Sequence, residues 1–192
     1  MGLLHARDTA VRIDFLEVTD TKITMVTLKS LKYTPSAQFA LLERAFSNSP
    51  LNLKGIPYEV KTVNIWKKDE HLTPEYREIN PMQQVPALRI DGRTLIDSIS
   101  IMHYLEETRP EHPLLPSDPG DRAKVREIIS VIASGIQPLQ NVAVLQLLPE
   151  EERVQWAQRC INKGFTALEK LLANSAGKYC FGDSISIADC CL

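Results

Sequence analysis

Cysteine is scarce: four residues in 192, at Cys160, Cys180 and the adjacent Cys190-Cys191, with no Cys-x-x-Cys pair. That excludes a disulfide-stapled scaffold and gives no support to a zinc or redox site, so the thiols are expected to be buried and reduced. His5, His71, His103 and His112 are scattered, and no metal ligand set is expected. A long apolar run is also missing. The richest stretch, Val131 to Leu148, is broken by Gln137, Pro138, Gln140 and Asn141, which excludes a spanning helix of about 20 residues. Charge of one sign is absent too, with 22 Lys plus Arg against 24 Asp plus Glu and mixed runs such as Lys67-Lys68-Asp69-Glu70. Neither nucleic acid nor an anionic membrane is therefore an expected partner. Asp8, Asp14 and Glu17 argue against a transit peptide, and Ala6 fails the myristoylation pattern begun by Met1-Gly2, so the expected location is cytoplasmic.

What remains is an ordinary globular composition, 44% apolar, in a chain long enough to bury roughly 70% of its unfolded surface. Val11, Ile13 and Phe15 alternate with polar residues and precede Lys22 to Leu28, which predicts a hairpin. Ser36 is placed to cap a helix carrying Phe39, Leu42 and Phe46, with Asn48-Ser49-Pro50 as its stop. Tyr58 to Ile65 reads as a strand, and Lys67 to Asn80 as a polar stretch with helix only in its second half. Two apolar runs, Val85 to Ile90 and Arg93 to Ile96, flank Asp91-Gly92. That dipeptide favours a type I′ turn, because both of its residues must reach positive φ. Asp97 or Ser98 then caps a helix ending before Pro110.

Beyond a Pro-rich linker the period becomes helical. Val125, Ile128, Ile129, Ile132 and Ile136 form one stripe; Val154, Ala157, Ile161, Phe165, Leu168 and Leu172 form a second. Two long antiparallel helices are expected, with Gly135 and Pro138 distorting the end of the first and freeing Gln137 and Asn141 for other partners. Ser186-Ile187-Ala188-Asp189 matches a capping box that opens a further helix. The expected organisation is an atypical segment over 1–50, a mixed α/β domain over 51–110, a linker over 111–120 and an all-helical domain over 121–192.

The chemistry concentrates in Asn80-Pro81-Met82-Gln83-Gln84-Val85-Pro86-Ala87-Leu88 and in Asp97-Ser98. A proline at a strand start blocks one ladder position, and a cis bond there would turn the Val85 amide and carbonyl outward to pair with a peptide ligand. A helix N-terminus beside the Ser98 hydroxyl suits a ligand carboxylate. The same residues also read as a plain helix cap.

These motifs, together with Tyr104-Leu105-Glu106-Glu107-Thr108-Arg109-Pro110, Gly135-Ile136-Gln137-Pro138-Leu139-Gln140-Asn141 and Gly182 to Asp189, resemble zeta-class glutathione S-transferases, the maleylacetoacetate isomerases. The resemblance runs from Leu51 to Leu192. It implies a thioredoxin-like N-terminal domain followed by an all-helical domain, in a cytoplasmic homodimer. It also implies that Val85, before cis-Pro86, pairs with the cysteinyl unit of glutathione and that Asp97 and Ser98 hold its γ-glutamyl end. Gln137 and Asn141 would face the site across the cleft. His71 stands near another contact position of the family; by itself it reads as a solvated loop residue. The implied reaction is glutathione-dependent cis-trans isomerisation of maleylacetoacetate, in tyrosine and phenylalanine catabolism, with transferase activity on small maleyl or α-haloacid substrates. The family's Ser-Ser-Cys-x-Trp motif has no counterpart in this sequence, so no catalytic residue is assigned. Ser36 is the one substitute donor, provided Lys22 to Leu28 takes the first-strand place. The later helices of the family are expected to be lacking. The alternative is a non-catalytic glutathione-binding or dimerising variant.

Overall fold

The structure, a computed structural model, describes residues 23–28, 48–65 and 69–192. Its sheet contains four strands, β1 (Thr24–Leu28), β2 (Glu59–Val63), β3 (Ala87–Ile90) and β4 (Arg93–Ile96), in the order β2-β1-β3-β4. β1 runs parallel to β2 and antiparallel to β3, and β3 and β4 form a hairpin. As expected, Asp91 and Gly92 both have positive φ, 52° and 69°. The helices are α1 (residues 48–53), α2 (Pro74–Ile79) and α3 (Ser98–Thr108), then α4 (Pro119–Gly135), α5 (Val142–Leu145) and α6 (Glu150–Leu172).

Strand periodicity builds the first layer. Successive residues of β1 point to opposite faces. Met25 packs with Leu88, Ile90, Leu51, Ile101 and Leu105, so α1 and α3 cover one face; Val26 packs with Val63, Ala87 and Tyr76, so α2 covers the other. Thr24 to Thr27 are all buried, which requires neighbours on both sides. The run read as half of an N-terminal hairpin is therefore the inner strand between β2 and β3, and Val11, Ile13 and Phe15 lie outside the described residues. A segment expected to be atypical thus supplies the middle of the sheet.

Phe39, Leu42 and Phe46 lie outside the described residues, and Pro50, expected as their stop, is helical. It lies within α1, where its carbonyl accepts from Lys54 N at 3.0 Å, and a missing proline amide removes one intrahelical bond while the buried Leu51 anchors the turn. α4 begins at Pro119, inside the stretch expected as linker, because the Asp118 carboxylate accepts from Asp121 N at 2.9 Å. α4 and α6 pack as expected through Val125, Ile128, Ile129, Ile132, Ile136 and Leu168. The helices approach closely at Gly164, where an added Cβ would run into Ile136 Cγ1. Val154 and Phe165 depart from the expected stripe and are 67% and 52% exposed. Phe165 follows Gly164 by about 100° around the helix, which carries it off the face that meets α4.

At the C-terminal end, the capping box forms, with Asp189 Oδ2 accepting from Ser186 N at 2.7 Å and Ser186 Oγ accepting from Ala188 N at 3.3 Å. The backbone bonds beyond it are three residues apart, Asp189 N to Ser186 O and Cys191 N to Ala188 O, so 187–191 are turns instead of the expected helix. Cys180, Cys190 and Cys191 are buried free thiols and Cys160 is a half-buried one. Burial pushes the Cys180 and Cys190 thiols up to about 12. Among the described residues, no helix is long and apolar enough to cross a membrane, and no cluster of acidic, His and Cys groups suits a metal.

One junction joins the sheet layer to the helices. Lys54 Nζ lies 2.7 Å from Glu106 Oε2 with both side chains at most 5% exposed, and it also donates to the carbonyls of Arg109 and His112 at 2.9 and 3.1 Å. Glu106 accepts in turn from Leu114 N and Leu115 N at 3.0 and 3.1 Å. All three ammonium donors are thereby used. Met102 of α3 belongs to the helical core, so α3 is shared by both layers.

Candidate functional site

The β3–β4 register pairs Ala87 with Ile96 and Leu88 with Leu95. Val85, two residues before β3, and Ser98, two residues after β4, therefore lie beyond the same end of this hairpin. The antiparallel β1–β3 register, in which Val26 pairs with Ala87, brings the C-terminal end of β1 to that same end. Val85, Ser98 and the C-terminal end of β1 therefore lie at one end of the sheet, where α3 also begins. The Val85–Pro86 peptide is cis, as the resemblance implied. Val85 stands outside the ladder, and its N–H makes no hydrogen bond with a described residue.

Asp97 is the N-cap of α3, its Oδ1 accepting from Ser100 N at 2.9 Å and Ser100 Oγ at 3.1 Å. Its backbone has φ 71° and ψ 125°, a sparsely populated conformation for a side chain larger than glycine. Ser98 is the first helical residue and half-buried, and among the described residues its hydroxyl has no partner. The cap reading holds for Asp97, while among the described residues Ser98 Oγ, the second Asp97 oxygen and the amides of Ser98 and Ile99 have no partner and are open to a ligand.

The loop before Val85 is tightly held. Thr73 caps α2 by accepting from Tyr76 N at 3.2 Å, and the buried Tyr76 hydroxyl donates to Gln84 O at 2.7 Å. Burial drives that phenol upward from its ordinary pKa. Asn80 Nδ2 donates to the same carbonyl at 2.7 Å, while Asn80 Oδ1 accepts from Met82 N at 2.9 Å. Neither Tyr76 nor Asn80 stood out in the sequence as more than helix and motif residues; the Asn-Pro-Met spacing was the available signal.

The remaining site residues are placed apart. His71 lies in the single 3-10 turn Glu70–Leu72, half-buried, with Nδ1 unpartnered. Burial lowers its pKa against the opposing charge of Asp69. No hydrogen bond joins it to Val85 or Ser98. Gln137 sits past the distorted end of α4, its amide bonded to Ile132 O at 3.0 Å, five residues back. Asn141 was expected to have a free side chain; its Oδ1 instead accepts from Ala143 N at 3.0 Å, opening α5. Ser36 lies outside the described residues. Two concavities, of about 230 Å³ beside α1 and about 680 Å³ along the 110–117 linker, lie elsewhere and contain none of these groups.

Residues 50–108 match the family described as "Glutathione S-transferase, N-terminal domain" and residues 140–192 match "Glutathione S-transferase, C-terminal domain". A bacterial maleylpyruvate isomerase structure, titled as a glutathione S-transferase in the zeta class, is 32% identical and superposes with a TM-score of 0.73 over 88% of this chain and 78% of its own. The chain belongs to the zeta class of glutathione S-transferases. A second structure, the maleylacetoacetate isomerase of Methylobacterium extorquens with bound malonate and glutathione, is 33% identical with a TM-score of 0.74 over 88% and 78% of the two chains. The probable maleylacetoacetate isomerase 2 of Drosophila melanogaster is 61% identical over 144 residues, 74% of this chain and 63% of its own. This zeta-class chain spans 58 to 66% of the length of the fly and mouse relatives it matches.

Proposed function

We propose that the protein binds glutathione at the end of the sheet shared by Val85 and Ser98 and catalyses the glutathione-dependent cis-trans isomerisation of maleylacetoacetate. The observation that carries this is that two donors without a partner among the described residues, Val85 N–H and Ser98 Oγ, stand at one end of the sheet beside a helix N-terminus. The donor set fits the ligand. The α3 amides and the Ser98 hydroxyl suit the γ-glutamyl carboxylate, the second Asp97 oxygen suits its ammonium, and Val85 N–H suits the carbonyl of the cysteinyl unit. Bound glutathione would supply a thiol that adds to the cis double bond and leaves once the bond has rotated. The chain's own part is to hold the tripeptide extended so that its sulfur faces the end of β1. β1 fills the place of the family's first strand, whose following loop bears the thiol-activating motif in that class.

The resemblance extends the proposal to a cytoplasmic homodimer in tyrosine and phenylalanine breakdown, acting also on α-haloacids. It further extends to Gln137, Asn141 and His71 as contacts, and to a thioredoxin-like domain over 51–110, to which β1 is added because it lies within the same sheet. Assay of the purified protein for isomerisation of maleylacetone, with and without glutathione, tests the reaction. Glutathione binding without turnover would leave the non-catalytic variant as the correct reading.

A further inference from the structure

We infer that Tyr76 and Asn80 are positioning residues for glutathione, acting through the carbonyl of Gln84 to aim the Val85 amide. This rests on the reading of the site just proposed. A peptide unit is planar, so its C=O and the following N–H point in opposite directions when the bond is trans. Among the described residues, the only cis bond is Val85–Pro86, and the Gln84–Val85 bond is therefore trans. Gln84 O accepts from Tyr76 Oη and Asn80 Nδ2, both at 2.7 Å. A carbonyl has two lone pairs, and here both are taken by buried residues. The carbonyl is thereby drawn toward α2, and Val85 N–H is directed away from α2, at the end of the sheet where Ser98 begins α3.

The two donors are themselves held. Tyr76 N is bonded to the Thr73 cap, Asn80 N to Tyr76 O at 2.9 Å, and Asn80 Oδ1 to Met82 N. Gln83, with φ 56°, donates its amide to Asn80 O at 2.8 Å. The turn cannot rotate the Gln84–Val85 peptide without breaking two buried hydrogen bonds. In an unrestrained loop the amide would sample other directions, and glutathione would have to order it on binding.

The test uses the ¹⁵N-labelled full chain with Tyr76→Phe, which keeps the ring, and Asn80→Asp, which keeps the acceptor for Met82 N. Each variant is expected to raise the glutathione Kd about fivefold, the worth of one neutral hydrogen bond, and to reduce the downfield shift of the Val85 amide on saturation. The Kd of γ-glutamylethylamide, which reaches the Ser98 side but has no cysteinyl carbonyl, is expected to change by less than about twofold. Equal weakening of both ligands would mean a merely structural role and overturn the proposal, as would an unchanged Val85 shift in the variants. If the Val85 amide of the unaltered protein ignores saturating glutathione, the reading of the site itself is wrong. Should both variants unfold, hydrogen exchange in the unaltered chain decides: Val85 N–H exchanging freely until glutathione is added supports the proposal, and protection without ligand overturns it.

Discussion

Removing the hydroxyl of Ser98 leaves the cap of α3 in place, because the bonds to Ser100 come from Asp97. Ser98→Ala is therefore expected to weaken glutathione binding about tenfold, as a hydrogen bond to a charged carboxylate does, with the melting temperature nearly unchanged. Calorimetric titration and a thermal melt of the same samples check both halves. Asp189 offers a contrasting residue. Burial works to raise its pKa, but the amides of Cys180 and Ser186 and the Ser186 hydroxyl favour the charged form and hold the carboxyl below its ordinary value. A depressed folded pKa contributes stability that is present above the unfolded value, about 3.9, and is lost as pH falls through the folded one. The stability gap between the unaltered protein and Asp189→Asn should be widest above about pH 5 and shrink as pH falls below about 4. A gap constant down to pH 3 in urea titrations would refute it. Asp189 was legible as half of a capping box, whereas its bond to Cys180 N was not, since nothing in a local pattern names a partner nine residues back.

At the level of elements, close approach is the property that periodicity hides. The second stripe was read from apolar spacing and included Val154 and Phe165, yet the residue that lets α6 reach α4 is Gly164, packed on Ile136. Glycine carries no hydrophobic signal, so the spacing argument passed over it. Gly164→Ala is expected to cost about 1–3 kcal/mol through overpacking, despite alanine's better helix propensity. Urea unfolding should show a lower midpoint with an unchanged m-value; a stabilised variant would mean that Ile136 can move aside. Phe165→Ser, by contrast, should stay within about 0.5 kcal/mol of the unaltered protein, because the ring is half exposed.

Across the whole molecule, the buried pair Lys54–Glu106 ties the end of α1 to α3 and to the linker that leads into α4. Removing one partner leaves a charge uncompensated, so Lys54→Met is expected to cost about 3–5 kcal/mol. Changing both residues, as Lys54→Met with Glu106→Leu, should recover only part of this, because the amides of Leu114 and Leu115 then lose their acceptor. Parallel melts of the single and double variants, followed by tryptophan fluorescence and far-UV circular dichroism, measure the coupling. Full recovery in the double variant would show that the carboxylate is not needed by the linker.

Features whose chemistry closes within a few residues were readable from the sequence. The Asp91-Gly92 turn needs two positive φ angles, and the cap of α3 needs a carboxylate three residues before a free amide. The resemblance carried by such short strings also reached the family. The tertiary structure alone decided what joins distant segments: β1 as the inner strand, Val85 and Ser98 at one end of the sheet, Gly164 against Ile136, and Lys54 with Glu106 across 52 residues. The physical reason is range. A turn or cap is stabilised by its own neighbours, whereas a strand partner or buried ion pair is chosen by which surfaces remain to be covered once the chain has folded around them.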